Sequence, residues 1–161
     1  MLSARSTTRT VANAESIYVD PSALLKLYLK EPESRAMTAW RAKVGDRLPV
    51  THHGQVELTN GIGLAAYRGI ITGDAHDAAL AALDDDFAQG RYKQMDVLWR
   101  ATLKRAGDLS REHTPSIGCR SLDVLHVASA IELELKHFAT FDVRQQQLAR
   151  AAGLKLVTPA G

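Results

Sequence analysis

Apolar and polar positions along this chain come in short blocks whose period switches between strand-like and helix-like. Ile17-Tyr18-Val19 is a β-prone run, followed at once by Asp20-Pro21-Ser22 and the apolar stretch from Ala23 to Leu29. An Asp ahead of a Pro is a helix-start signal: the carboxylate accepts free N–H groups, and proline needs no partner at the first helical position. After Pro32 the pattern predicts a helix over residues 33–44, a strand over 48–51 and a helix over 55–68. The alanine-rich segment 74–89 is helical, with Ala78, Leu80, Ala81 and Leu83 on one side.

Residues 92–97 read as a short strand, and 98–111 as a helix carrying Leu98, Ala101, Thr102, Ala106 and Leu109 at helical spacing. Pro115 and Gly118 predict a loop over 114–120, followed by a helix over 122–135 and a strand over 137–140. A helix over 143–152, closed by Gly153, and a strand over 154–157 complete the chain. Single helices between strands argue for an α/β layer structure with a mainly parallel sheet.

A length of 161 residues suits one domain with a full core, and a composition 45% hydrophobic and 24% charged is that of a globular chain. The reading divides it into a flexible N-terminal tail, residues 1–15, and one domain over 16–161. The tail carries Arg5 and Arg9 among Ser and Thr but no apolar segment of the kind a secretory signal needs. No run approaches the ~18 apolar residues of a membrane span. Cys119 is the only cysteine, so no internal disulfide can form, and a reducing, cytoplasmic setting is expected. A net charge of +2 is too small to hold a polyanion unaided, so such a substrate would need a metal ion or a local basic stripe.

Four acids fall where chemistry is expected. Asp20 follows the first strand, Asp142 follows the strand over 137–140, Asp123 opens the helix after Gly118, and Glu57 lies in the first turns after the second strand. In open parallel sheets, ligands bind beyond the carboxyl ends of the strands. If these helices begin on one edge, the carboxylates face each other, and their repulsion in a low dielectric is tolerable only with cations bound. Carboxylates supplemented by water suit Mg²⁺ or Mn²⁺ better than zinc. A cation so held lowers the pKa of water and stabilises the leaving oxygen of a phosphodiester. Each acid also has a simpler reading. Asp20 is a helix cap, Asp142 with Gln145 is a capping box, Asp123 complements a helix start capped by Ser121, and Glu57 is an exposed helical glutamate.

The flanking residues carry a resemblance. Ile17-Tyr18-Val19-Asp20-Pro21-Ser22-Ala23-Leu24 resembles the opening of the PIN-domain nucleases, and Val56-Glu57-Leu58-Thr59-Asn60 resembles their second acidic segment. The run from Ser121 to Ala130 is similar to their third, and Phe138-Ala139-Thr140-Phe141-Asp142-Val143-Arg144-Gln145 to their fourth. Within that superfamily the size looks most like the VapC-type toxins of toxin–antitoxin pairs. The resemblance implies a three-layer α/β/α sandwich and a Mg²⁺- or Mn²⁺-dependent endoribonuclease, usually a homodimer, with an antitoxin that wraps its helices and blocks the acidic pocket. Carried over by position, Asp20, Glu57, Asp123 and Asp142 are the metal-binding and catalytic acids, with Ser22 and Thr140 as supporting hydroxyls. The segment Thr51-His52-His53-Gly54 departs from the family, which often has a Ser and apolar residues there.

Other residues are weighed beside these. Asp84-Asp85-Asp86 is a solvated helix end, since consecutive helical positions point apart. His126, one turn after Asp123, can bond a carboxylate or a phosphate, or serve as a structural histidine. Arg120 and Arg144 adjoin Asp123 and Asp142 and are candidates for RNA phosphate, as are the basic residues between Arg91 and Arg111. Trp40 and Trp99 can stack bases or fill core. The rival to a nuclease is a non-catalytic RNA- or protein-binding module of the same fold. Phosphotransfer through Asp20 ranks lower: haloacid-dehalogenase-like enzymes need an Asp where Ser22 stands, and receiver domains need an acidic pair where Val19 precedes Asp20.

Overall fold

Ile17 and Val19 turn into one apolar cluster while Tyr18 between them turns into another, the alternation of a strand buried on both faces. In the computed structural model, which describes residues 12–160, that strand, β1 (Ile17–Val19), pairs in parallel with β4 (His137–Ala139). β4 in turn pairs in parallel with β5 (Lys155–Val157). On the other side of β1 lies β2 (Leu48–Thr51), which pairs in parallel with β3 (Tyr92–Met95). Every strand ladder among the described residues is parallel, as the alternation of strands and helices predicts.

Helices cover both faces. Helix α1 (Pro21–Leu24), α2 (Ser34–Val44), α3 (His52–Tyr67) and α4 (Gly73–Ala88) enclose a core of Leu24, Met37, Trp40, Leu58, Ile62 and Leu83. Helix α5 (Trp99–Ile117), α6 (Ser121–Glu132) and α7 (Val143–Ala151) enclose the second, built on Tyr18, Leu109, Val124, Val127, Phe138 and Leu148. The result is the three-layer α/β/α arrangement expected from sequence, with the rings of Tyr18 and Phe138 stacked 5.4 Å apart on adjacent strands. No helix among the described residues is long and apolar enough to cross a membrane.

Several boundaries differ from expectation for identifiable reasons. The loop predicted over 114–120 is instead the last turn of α5, which runs through Pro115 to Ile117. Proline has no N–H to offer the Arg111 carbonyl one turn back, and the helix ends two residues after it. Gly118, at φ 76°, then closes the helix by donating its N–H to the Thr114 carbonyl at 2.8 Å. Helix α3 begins at His52 because the Thr51 hydroxyl accepts the Gly54 N–H at 3.0 Å, so the unusual His52-His53-Gly54 segment is its first turn. Helix α1 is only one turn long and tightens into a 3₁₀ turn over Leu25–Leu27. Ser121 is the first residue of α6; the cap position is Arg120, which supplies no side-chain bond.

Most of the expected tail lies outside the described residues. Of the rest, Ala14 and Glu15 belong to a short 3₁₀ turn that leads into β1, with Ala14 in the first core. Helix α3 approaches the turn after α1 closely, since a Cβ at Gly61 would stand 2.6 Å from Leu25 Cδ1. That approach brings Glu57 beside the end of β1.

Candidate active site

The backbone N–H of Asp20 donates to the Ala139 carbonyl at 3.0 Å, so Asp20 extends the β1–β4 ladder to the carboxyl edge of the sheet. Its carboxylate is 4% exposed and is held by neutral donors. Oδ2 accepts the Ser22 N–H at 3.0 Å and the Ser22 hydroxyl, and Oδ1 accepts the side-chain amide of Gln145 at 2.8 Å. Asp20 is therefore a helix cap and a buried carboxyl group at once. Its capping role does not compete with a second one, because each carboxylate oxygen offers more than one lone pair.

Asp142 caps α7 at the same edge, where Oδ1 accepts the Gln145 N–H at 2.8 Å. The Thr140 hydroxyl accepts the backbone N–H of Asp142 at 3.2 Å, so it fixes the chain under the carboxylate without touching it. Asp123 sits in the first turn of α6. Partial burial, reinforced by the charge of Asp20, pushes its carboxyl above the usual range, with Arg120 opposing and Asp142 adding to the effect. Arg120 Nε stands 3.6 Å from Asp123 Oδ2, but its side chain is 85% exposed, so the pairing is a loose surface one.

Glu57 projects from α3 toward α6, where its Oε2 lies 3.0 Å from Nε2 of His126. Its Oε1 is buried and has no hydrogen-bond partner among the described residues. His126 is buried, and its Nδ1 is 2.5 Å from the hydroxyl of Tyr18, which in turn reaches Thr51 Oγ1 at 3.4 Å. Burial would push His126 down, but the bond to Glu57 and the charges of Asp20, Glu57 and Asp123 outweigh it and raise its pKa. Burial first, with the nearby acids contributing, also drives the Tyr18 hydroxyl well above the normal tyrosine range, so it stays protonated.

Two adjoining hollows display these acids. Asp20, Glu57 and Asp123 line one of about 450 Å³, together with Ser22, Asn60 and Arg120. Asp123 and Asp142 line another of about 350 Å³ with Arg120 and Arg144. Asp123 and Arg120 are common to both. The four acids read from sequence thus line these two adjoining hollows, Asp20 and Glu57 the first, Asp142 the second and Asp123 both, while Ser22 lines the first, Arg144 the second and Arg120 both.

Other candidates are placed elsewhere. Trp40 is buried in the first core and cannot stack a base. Trp99 is half exposed, tilted against the ring of His53. His53 points inward, with Nε2 3.1 Å from the Ser129 hydroxyl, while His52 faces out toward Asp96. Asp86 accepts from the Tyr28 hydroxyl, so it belongs to a polar contact under α4 and not to a free acidic cluster. Of the basic residues between Arg91 and Arg111, Arg91, Lys104 and Arg105 are paired with Asp86, Asp108 and Glu132.

Sequence reading missed two partners. Tyr18 sat unremarked in a β-prone run; only the three-dimensional pairing of β1 with α6 gives it His126. Gln145 was legible only as half of a capping box, and nothing local announces that its amide turns to Asp20, 125 residues earlier.

The donor set fits a hard divalent cation. All four groups are carboxylates, the buried Oε1 of Glu57 lacks any donor, and the carboxyl of Asp123 is raised by burial and neighbouring negative charge. Among the described residues no three His, Cys, Asp or Glu side chains converge on a single point. Magnesium-like ions do not require this, since they keep several waters and take one or two carboxylates.

Comparison with known proteins gives two findings. The PIN domain family model matches residues 17–151. The crystal structure of FitAcB from Neisseria gonorrhoeae is similar, with a TM-score of 0.64 and 17% identity, covering 89% of this chain and 97% of that one. At that identity the likeness speaks for the fold. No curated protein matches the chain.

Proposed function

The chain belongs to the PIN domain family, and from that premise we propose that it is a divalent-metal-dependent endoribonuclease acting as the toxin of a toxin–antitoxin pair. One observation carries the reading: Asp20, Glu57 and Asp123 surround one hollow, and among the described residues the one arginine or lysine lining it, Arg120, is exposed and loosely paired. In this reading Asp20, Glu57, Asp123 and Asp142 hold Mg²⁺ or Mn²⁺. A bound cation of that kind supplies water of lowered pKa and Lewis-acid polarisation of the phosphodiester.

The chain's own residues do the rest. Ser22 and Gln145 hold the Asp20 carboxylate with neutral donors and so preserve its charge. His126 fixes one oxygen of Glu57 and leaves the other without a protein partner. Arg120 and Arg144 line the second hollow, and in this reading they receive flanking phosphates of an RNA strand. A homodimer, an antitoxin that covers the acidic hollow, and a cytoplasmic setting complete the proposal and rest on the family resemblance.

The test is RNA cleavage by purified protein free of any antitoxin. Cleavage with Mg²⁺ or Mn²⁺, its arrest by chelator and its loss in Asp20→Asn and Asp123→Asn would support the proposal; full activity in both variants would refute it. The bond between Glu57 and a buried histidine favours a second reading, a PIN-fold module that binds RNA or protein without cutting. A wild-type chain that binds RNA but neither takes up Mn²⁺ nor cleaves would decide for it.

A further inference from the structure

Gln145 occupies the third position of α7, where a glutamine normally folds back to bond the N–H of its own cap residue. Here that N–H, from Asp142, is already taken by the Thr140 hydroxyl. Only half of the capping box forms: Asp142 accepts the Gln145 N–H, and the Gln145 side chain is released from local duty. It turns into the protein, where it is 1% exposed. Its amide nitrogen donates to Asp20 Oδ1 at 2.8 Å and to the Asp123 backbone carbonyl at 3.3 Å. One residue thus bonds three of the four acidic positions, on three different elements.

The direction of these bonds matters. A cationic partner for Asp20 would cancel the charge a metal needs, whereas a neutral amide orients the carboxylate and leaves its charge intact. Both acceptors require the NH₂ end of the amide, which fixes its orientation and leaves Oε1 on the other side. That Oε1 is buried and has no partner among the described residues. An unsatisfied buried carbonyl is unfavourable for folding, so the side chain is kept at this position for the two bonds its amide nitrogen makes.

We propose that Gln145 is a positioning residue, whose amide holds Asp20 and the start of α6 in register with Asp142 so that the acidic hollow is shaped before a cation enters. This rests on the metal-binding reading above. Such orienting contacts to metal ligands are worth roughly 10–100-fold in metal affinity.

The experiment uses the full chain and Mn²⁺ as probe. Gln145→Met keeps length and burial and removes the amide. Calorimetric titration should show Mn²⁺ affinity weakened roughly 10–100-fold, and the metal-free melting temperature should fall, since methionine leaves Asp20 Oδ1 and the Asp123 carbonyl without their shared donor. A lowered melting temperature with unchanged Mn²⁺ affinity would show a structural role only and overturn the inference. If the variant does not fold, the wild-type protein still decides. On titration with Mg²⁺, the side-chain amide resonance of Gln145 should shift together with the backbone amides of Asp20 and Asp123. Shifts at Asp20 and Asp123 without one at Gln145 would overturn the inference and leave the metal site standing. Shifts at none of them, with no Mn²⁺ heat in wild type, would overturn both.

Discussion

His126 Nε2 and Glu57 Oε2 stand 3.0 Å apart across the gap between α6 and α3, although 69 residues separate them. This contact ties one wall of the acidic hollow to the second core, because the other face of the imidazole meets the Tyr18 hydroxyl. His126→Leu should strand two buried polar partners and lower stability by at least the ~1–3 kcal/mol of one orphaned group. Tyr18→Phe removes one hydroxyl and should lower it by about 1 kcal/mol. Urea unfolding checks both; two variants as stable as wild type would show that the contact contributes nothing.

His53 gives a pH dependence with a definite sign. Burial first, and then the neighbouring His126 and His52, lower its pKa to about 4. The folded state therefore resists protonating it while the unfolded chain, with an ordinary value near 6.5, does not. Its contribution is fully present above the unfolded value and is lost as pH falls toward the folded one. Melting temperatures between pH 7.5 and 5 should fall more steeply for wild type than for His53→Gln. Parallel curves would rule out a half-buried His53 held neutral by its surroundings.

Asp123 has the opposite sense. Its carboxyl is raised by burial and by Asp20, so its contribution to stability is present below the unfolded value and lost as pH rises through the folded one. At neutral pH, without metal, ionised Asp123 is a liability. Asp123→Asn should melt higher than wild type in chelator, and adding Mn²⁺ should raise wild type and leave the variant unmoved. A variant that melts lower in chelator would contradict this electrostatic picture.

How much of this was readable in the sequence follows a physical divide. Cap residues and strand runs are local, so Asp20 before Pro21 and Asp142 before Val143 announced helix starts at strand ends, and the structure has both. The layered fold followed from the order of such signals. The nearness of the acids is not local: strand ends and helix starts suggested it, and the resemblance of the flanking segments strengthened it. Contacts that join distant elements stayed hidden: no periodicity marks Gln145 as the partner of Asp20, or Tyr18 as that of His126. Pro115 misled for the converse reason, since a local breaker near a helix end yields to packing of Ile117 against the second core.

The arginines at the rim make a separate prediction. Arg120→Ala and Arg144→Ala, each made in an Asp20→Asn background to prevent cutting, should weaken binding to all RNAs alike. Each should also reduce the salt slope of the binding constant by about 1 if it meets a phosphate. Filter binding over a range of NaCl concentrations measures this, and an unchanged slope would remove that arginine from the RNA path.

The proposed activity depends most on a cation held by carboxylates from distant parts of the chain. Calorimetric titration of the metal-free wild-type protein with Mn²⁺ is its most direct test. Saturable binding that Mg²⁺ displaces, and that disappears in both Asp20→Asn and Asp123→Asn, is the predicted result. No binding by wild type, or undiminished binding by Asp123→Asn, would contradict it.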